Sequence, residues 1–190
     1  MRDARVKVVV EIALSVALAA VLGLWKITLP WNFAGGSISL AMLPLLVVAV
    51  RRGLWAGATA GALFGCVDYL MEPFFVHPVQ VVLDYPVAFA ACGLAGLGAG
   101  TVARAFSSGP ALSAGIATVP WTLLGGLGRF ACSFVSGIVF FAANAPQGQP
   151  VLLYSFLYNA SYLAPSVIVC TVLGVVLVPA LERAVPSYRG

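Results

Sequence analysis

Asp84 is the residue with the most to explain. It sits at the end of the stretch His77-Pro78-Val79-Gln80-Val81-Val82-Leu83-Asp84-Tyr85, and the residues that follow are almost all apolar. An isolated carboxylate so close to hydrocarbon costs several kcal/mol unless something answers it. Two answers are open from the residues alone: a structural ion pair with Arg129, or a cationic ligand. Other polar and aromatic residues recur at the same ends of the apolar segments. Trp31 and Asn32 follow the first, Phe74, Phe75 and His77 the third; Ser133, Ser136 and Phe141 close the fifth; Tyr154, Tyr158, Asn159 and Tyr162 open the sixth. The three tyrosines are spaced i, i+4, i+8 and share a helix face. One acid, several hydrogen-bonding groups and aromatic walls suit a small, flat, cationic ligand.

The same residues do not form a catalytic set. No HExxH, GxSxG or Walker A sequence is present, so metal-assisted hydrolysis, serine acyl transfer and ATP binding have no motif to rest on. The single histidine, His77, precedes a proline and reads as a loop residue. The four cysteines fall one per apolar segment without CxxC spacing and read as small core residues rather than metal or disulfide chemistry. The chain is expected to need no cofactor and no metal.

These residues must be positioned by membrane helices. Hydrophobic residues make up 62% of the chain and charged residues 8%, against about 25% charged in soluble domains, and the mean hydropathy is +1.04. The expectation is an all-α integral membrane protein forming one domain over 1–190. Its six helices are predicted at about 8–29, 38–50, 54–71, 79–102, 111–142 and 151–181, the second short for a span. Glu11 and Lys26 are expected to snorkel toward the interfaces. Small residues recur every fourth position at Gly57, Gly61 and Gly65 and at Ala88, Cys92, Gly96 and Gly100, which permits close helix packing. Arg and Lys gather at the N-terminus, at 51–52, at 104 and at 183–189. The connections at 30–37, 72–79 and 143–150 carry none. That alternation predicts both termini on the cytoplasmic side and the polar ends outside.

Several stretches, in order along nearly the whole chain, carry a resemblance. They are Glu11-Ile12-Ala13-Leu14, Gly35-Gly36-Ser37-Ile38-Ser39-Leu40, Leu43-Pro44 with Arg51-Arg52-Gly53, His77 through Tyr85, Ser136-Gly137-Ile138-Val139-Phe140-Phe141, and Tyr154-Ser155 with Tyr158-Asn159-Ala160. In these the chain resembles the thiamine-specific substrate-binding subunits (S-components) of energy-coupling-factor vitamin transporters. The resemblance implies a six-helix bundle in a bacterial plasma membrane with an outward-facing vitamin site. It also implies assembly with a membrane coupling subunit and two cytoplasmic ATPases. Carried over, the ligand acid falls on Asp84, where some members have glutamate, with Tyr85 after it. The remaining ligand contacts fall on Tyr154, Asn159, Gly137, Phe141, Phe74 and Trp31. Ser133 stands where the family usually has histidine, and Ser39 stands near a position that is glutamate in some members. Ala13 and Ala17 fall on the face that would meet the coupling subunit. A thiamine precursor or another vitamin stays open as the ligand, and a membrane-embedded enzyme acting on small lipids is the alternative from another class.

Overall fold

The computed structural model describes residues 2–30 and 36–186. Among these residues the architecture is an all-α bundle of six helices with one small two-stranded ribbon. Helix α1 is Arg2–Leu24, α2 Met42–Arg52, α3 Leu54–Met71, α4 the compound helix Pro78–Ser108, α5 Ala111–Phe140 and α6 Val151–Ala184. Five of them, all but α2, are long and apolar enough to cross a membrane. At 34 residues, α6 would extend about 51 Å, well beyond a hydrocarbon core of about 30 Å.

Helix α2 departs from the expected 38–50. It has 11 residues, about 17 Å of helix, too short to cross alone. Instead it is the core: Met42 through Arg51 are buried without exception. The segment before it runs as a strand. β1 (Lys26–Ile27) pairs antiparallel with β2 (Ile38–Ser39), Lys26 opposite Ser39. This is why α1 ends at Leu24 rather than near residue 29. The backbone from Lys26 onward takes its hydrogen bonds from a partner strand. Non-helical backbone at membrane depth is tolerated where it lines a cavity. Here the Ser39 N–H is also satisfied, donating to Ser166 Oγ on α6 at 3.2 Å. Gly36 is confined to glycine twice over: its φ is +90°, and a Cβ there would lie 2.7 Å from the Tyr162 ring.

Helix α4 begins at Pro78, capped by His77, whose Nδ1 accepts from the Val79 N–H at 3.1 Å. It then changes pitch, with a π-helical turn over Leu83–Val87 and a 3₁₀ stretch over Cys92–Gly98. Pro86 lies inside the π turn. Its missing N–H cannot join an i→i−4 ladder, and a widened turn absorbs that loss. The π turn carries Asp84 and Tyr85. It is pressed against α3, where a Cβ on Gly65 would meet the Tyr85 backbone at 2.5 Å and one on Gly61 the Phe89 carbonyl at 2.1 Å. The predicted glycine stripe of α3 is therefore the contact that sets the depth of Asp84.

At the basic end, Glu11 of α1 accepts from Arg52 Nε at 2.9 Å and Nη2 at 2.6 Å. Buried Arg51 reaches Glu182 at 3.3 Å, Glu11 at 3.5 Å and the Val185 carbonyl at 2.5 Å. Glu11 does not snorkel as expected: two arginines offer it a paired site inside the bundle, joining α1, α2 and the end of α6. Lys26 likewise pairs with Glu72, at the end of α3.

Candidate functional site

A cavity of about 560 Å³ opens at the end of the bundle opposite the arginine cluster. That volume lies in the range of small-molecule sites. The ends of α1 and α3, the start of α4, the last turns of α5 and the first turns of α6 all contribute to it, together with β2. The structure brings together Asp84, Tyr85, Phe74, Ser133, Gly137, Phe141, Tyr154 and Asn159 as lining of this one cavity. Trp31 lies outside the described residues.

The polar side chains fall into two groups. Some are already committed to the protein. The amide of Asn159, buried at 4% exposure, donates to the Ser155 carbonyl at 2.9 Å and the Ser133 carbonyl at 3.3 Å. Its oxygen accepts from the Tyr162 hydroxyl at 2.8 Å. It ties α5 to α6. The Tyr85 hydroxyl accepts from the Phe74 N–H at 3.1 Å and donates to the Glu72 carbonyl at 3.0 Å. It holds the loop between α3 and α4 and offers the cavity its ring. Gly137 gives its open face to a neighbouring helix, since a Cβ there would lie 2.2 Å from Ser155 Oγ.

The second group keeps capacity. Asp84 accepts from Gln80 Nε2 at 2.8 Å through Oδ2 and makes no ion pair with Arg129. Arg129 lies instead over the Phe89 ring, 3.9 Å from its centre, a cation–π contact. Ser136 stands beside the Asp84 carboxylate, while Arg129 Nε is buried without a hydrogen-bond partner. Groups of this kind are few in folded proteins and call for a physical explanation.

Aromatic rings form the walls. Phe74 and Phe141 face each other at 5.9 Å between centroids, tilted by 30°. Tyr154, Tyr158 and Tyr162 form a ladder at 5.8 and 6.1 Å along α6, as their spacing predicts. His77 stacks on Phe140 at 5.4 Å while capping α4, so it belongs to the scaffold. The lining also holds residues the sequence reading left out of the site: Lys26, Asp68, Glu72, Gln80, Phe89 and Arg129. For Gln80 a signal was present, since Gln and Asp at i and i+4 face each other on a helix. For Lys26 and Glu72, 46 residues apart, there was none. Among the described residues no cluster of three metal-ligating side chains occurs, and all four cysteines are free thiols.

Comparison with known proteins agrees across sequence and fold. The family model described as "Thiamine transporter protein (Thia_YuaJ)" matches residues 9–185. Thiamine transporter ThiT of Bacillus subtilis (strain 168) is 38% identical over 184 residues, covering 95% of this chain and 94% of that protein. Thiamine transporter ThiT of Lacticaseibacillus paracasei is 30% identical over 154 residues, covering 79% and 75%. The solved structure of ThiT from Listeria monocytogenes superposes with a TM-score of 0.82 at 28% identity, covering 97% of each chain. Both sequence relatives are named as transporters, and neither name denotes an enzyme. On the family match and the extent of these identities, the chain belongs to the thiamine transporter protein family.

Proposed function

We propose that this chain captures thiamine in the cavity from the outer side of the membrane. It does so as the substrate-binding S-component of an energy-coupling-factor transporter. The observation that carries the reading is Asp84, an acid inside an aromatic-walled cavity with no cationic side chain paired to it among the described residues. Lys26 and Glu72 neutralise each other at the cavity wall. That leaves two carboxylates, Asp68 and Asp84, against one guanidinium, Arg129, among the described lining residues. An excess of one negative charge suits a ligand with one positive charge. The thiazolium of thiamine is a permanent flat cation. Aromatic faces such as Phe74, Phe141 and Tyr154 attract it at roughly 0.5–2 kcal/mol each. The aminopyrimidine supplies N–H donors for Asp84. Ser133 and the shorter acid at 84 leave more room than histidine and glutamate would.

The remaining assignments belong to the same proposal. Trp31 adds an aromatic from the first outer loop. Ala13 and Ala17, both exposed on α1, form the close-approach face for the coupling subunit. With no nucleotide motif in this chain, two cytoplasmic ATPases supply the energy. The Arg/Lys distribution supports both termini on the cytoplasmic side.

The test is a titration of purified protein with thiamine, its phosphates, its two ring halves, riboflavin and biotin, followed by intrinsic tryptophan fluorescence. Saturable binding of thiamine, tighter than that of either ring half, is expected. Tighter binding of a ring half would make the chain a carrier of a precursor. No response to any thiamine-related ligand would overturn the reading, and turnover by the isolated protein would make it an enzyme.

A further inference from the structure

Gln80 is 1% exposed, among the largest fully buried side chains of the protein. A buried amide needs partners at both ends, and the two it has are unlike each other. Its Nε2 donates to Asp84 Oδ2 at 2.8 Å. Its Oε1 accepts from the Val76 N–H at 3.1 Å, in the loop between α3 and α4. That loop also carries Phe74, and the Tyr85 hydroxyl pins it again at Phe74 and Glu72. The acid, the residue beside it and the aromatic at the cavity wall thus form one bonded unit, with Gln80 at its centre.

The arrangement fixes chemistry as well as position. The Val76 N–H can only donate, so Gln80 must present its oxygen to it. The amide NH₂ then points at Asp84, which must accept. Oδ2 thus holds a donor from the protein, and the carboxylate keeps further lone pairs with which to accept, from Ser136 beside it or from a ligand. A reversed amide would set oxygen against oxygen and cannot form here. The backbone of the loop therefore fixes, through one side chain, the orientation of Asp84, which as a carboxylate can only accept from its ligand.

We propose that Gln80 is a positioning residue that sets ligand specificity: it orients Asp84 to select ligands presenting an N–H donor, and it couples the acid to the loop bearing Phe74. This rests on the thiamine reading, in which the donor is the 4-amino group of the pyrimidine. The probe is the pair thiamine and its analogue with an oxo group in place of that amine. In the wild-type protein the amine is expected to bind more tightly than the oxo analogue.

Gln80→Met keeps the length and packing volume but loses both hydrogen bonds. It should weaken thiamine about tenfold and the oxo analogue little, so that discrimination shrinks. In an Asp84→Ala background the same substitution should change thiamine affinity by a factor of about one, because its effect passes through the acid. Should Gln80→Met fail to fold, Gln80→Asn carries the same comparison, its amide being one methylene too short to reach both partners. If Asp84→Ala weakens thiamine but the Gln80 variants leave discrimination intact, or if they weaken both ligands equally in both backgrounds, Gln80 is packing and the proposal falls alone. If wild-type protein ignores thiamine, or Asp84→Ala binds it unchanged, the reading beneath falls and takes the proposal with it.

Discussion

Asp84→Asn separates a binding acid from a structural one, and the structure sets the size of each effect. In the folded protein Asp84 bonds Gln80 and does not pair with Arg129. Arg129 rests on the Phe89 face instead. Removing the charge at 84 therefore strands no ion-paired cation, and the amide is easier to bury than the carboxylate. Stability should change by less than about 1 kcal/mol. Binding should change far more. Gln80 Nε2 will claim the one carbonyl oxygen of the substituted side chain, which turns the new NH₂ group toward the cavity. A ligand donor then meets a donor where it had met a charged acceptor. Loss of a charge-assisted hydrogen bond costs about 1.5–3 kcal/mol, or roughly ten- to a hundred-fold in Kd. The inverted amide places the expectation at the upper end. Thiamine affinity and melting temperature are to be measured on the same purified variant. Were Asp84 the counter-ion of Arg129, the variant would lose about 3–5 kcal/mol of stability. A collapsed melting temperature with unchanged affinity would refute the reasoning.

Three further outcomes test other parts of the molecule. Single cysteines at Gln147 and Ser107, both exposed, in a background without native cysteines, should react differently with an impermeant reagent on intact cells: Gln147→Cys should label and Ser107→Cys should not, and the reverse would invert the topology. Ala13→Trp with Ala17→Trp should abolish uptake and co-purification of a coupling subunit while leaving thiamine affinity within about twofold; loss of binding as well would make this face part of the bundle's own packing. Gly137→Ala places a Cβ 2.2 Å from Ser155 Oγ, and the overpacked α5–α6 contact should cost about 1–3 kcal/mol, read as a lower melting temperature in detergent; an unchanged midpoint would mean that the two helices separate freely there.

The helical architecture was legible because hydropathy and helix period are properties of contiguous residues. The exceptions are set by contacts distant in sequence. The strands Lys26–Ile27 and Ile38–Ser39 are two residues each, too short for any alternation to register, and they exist because they pair. Helix α2 is apolar enough to resemble a span, yet its length is fixed by the ribbon before it and by Arg51 and Arg52, which engage Glu11 and Glu182 from α1 and α6. The change of pitch in α4 had a visible cause in Pro86, but a proline admits a kink, a break or a π turn. Which one forms depends on the glycine face of α3 packed against it.

The site shows a similar divide. Depth along a helix can be counted, so polar residues sharing one level of the bundle could be gathered from sequence into one cavity. Whether a polar group is free to bind cannot be counted in this way, because its partners come from other elements. Asn159 and Tyr85 line the cavity and also hold the fold, the first tying α5 to α6 and the second closing a loop. Arg129 looks like the partner of Asp84, yet Phe89 takes its face. Once those commitments are subtracted, the polar capacity left at the cavity includes Asp84, bonded to a neutral amide rather than a cation, and Arg129, whose Nε has no partner. Leaving such a buried acceptor or donor without a partner costs free energy that a hydrogen-bonding ligand would recover. The physical case for a ligand therefore comes from the bonds these two residues do not make.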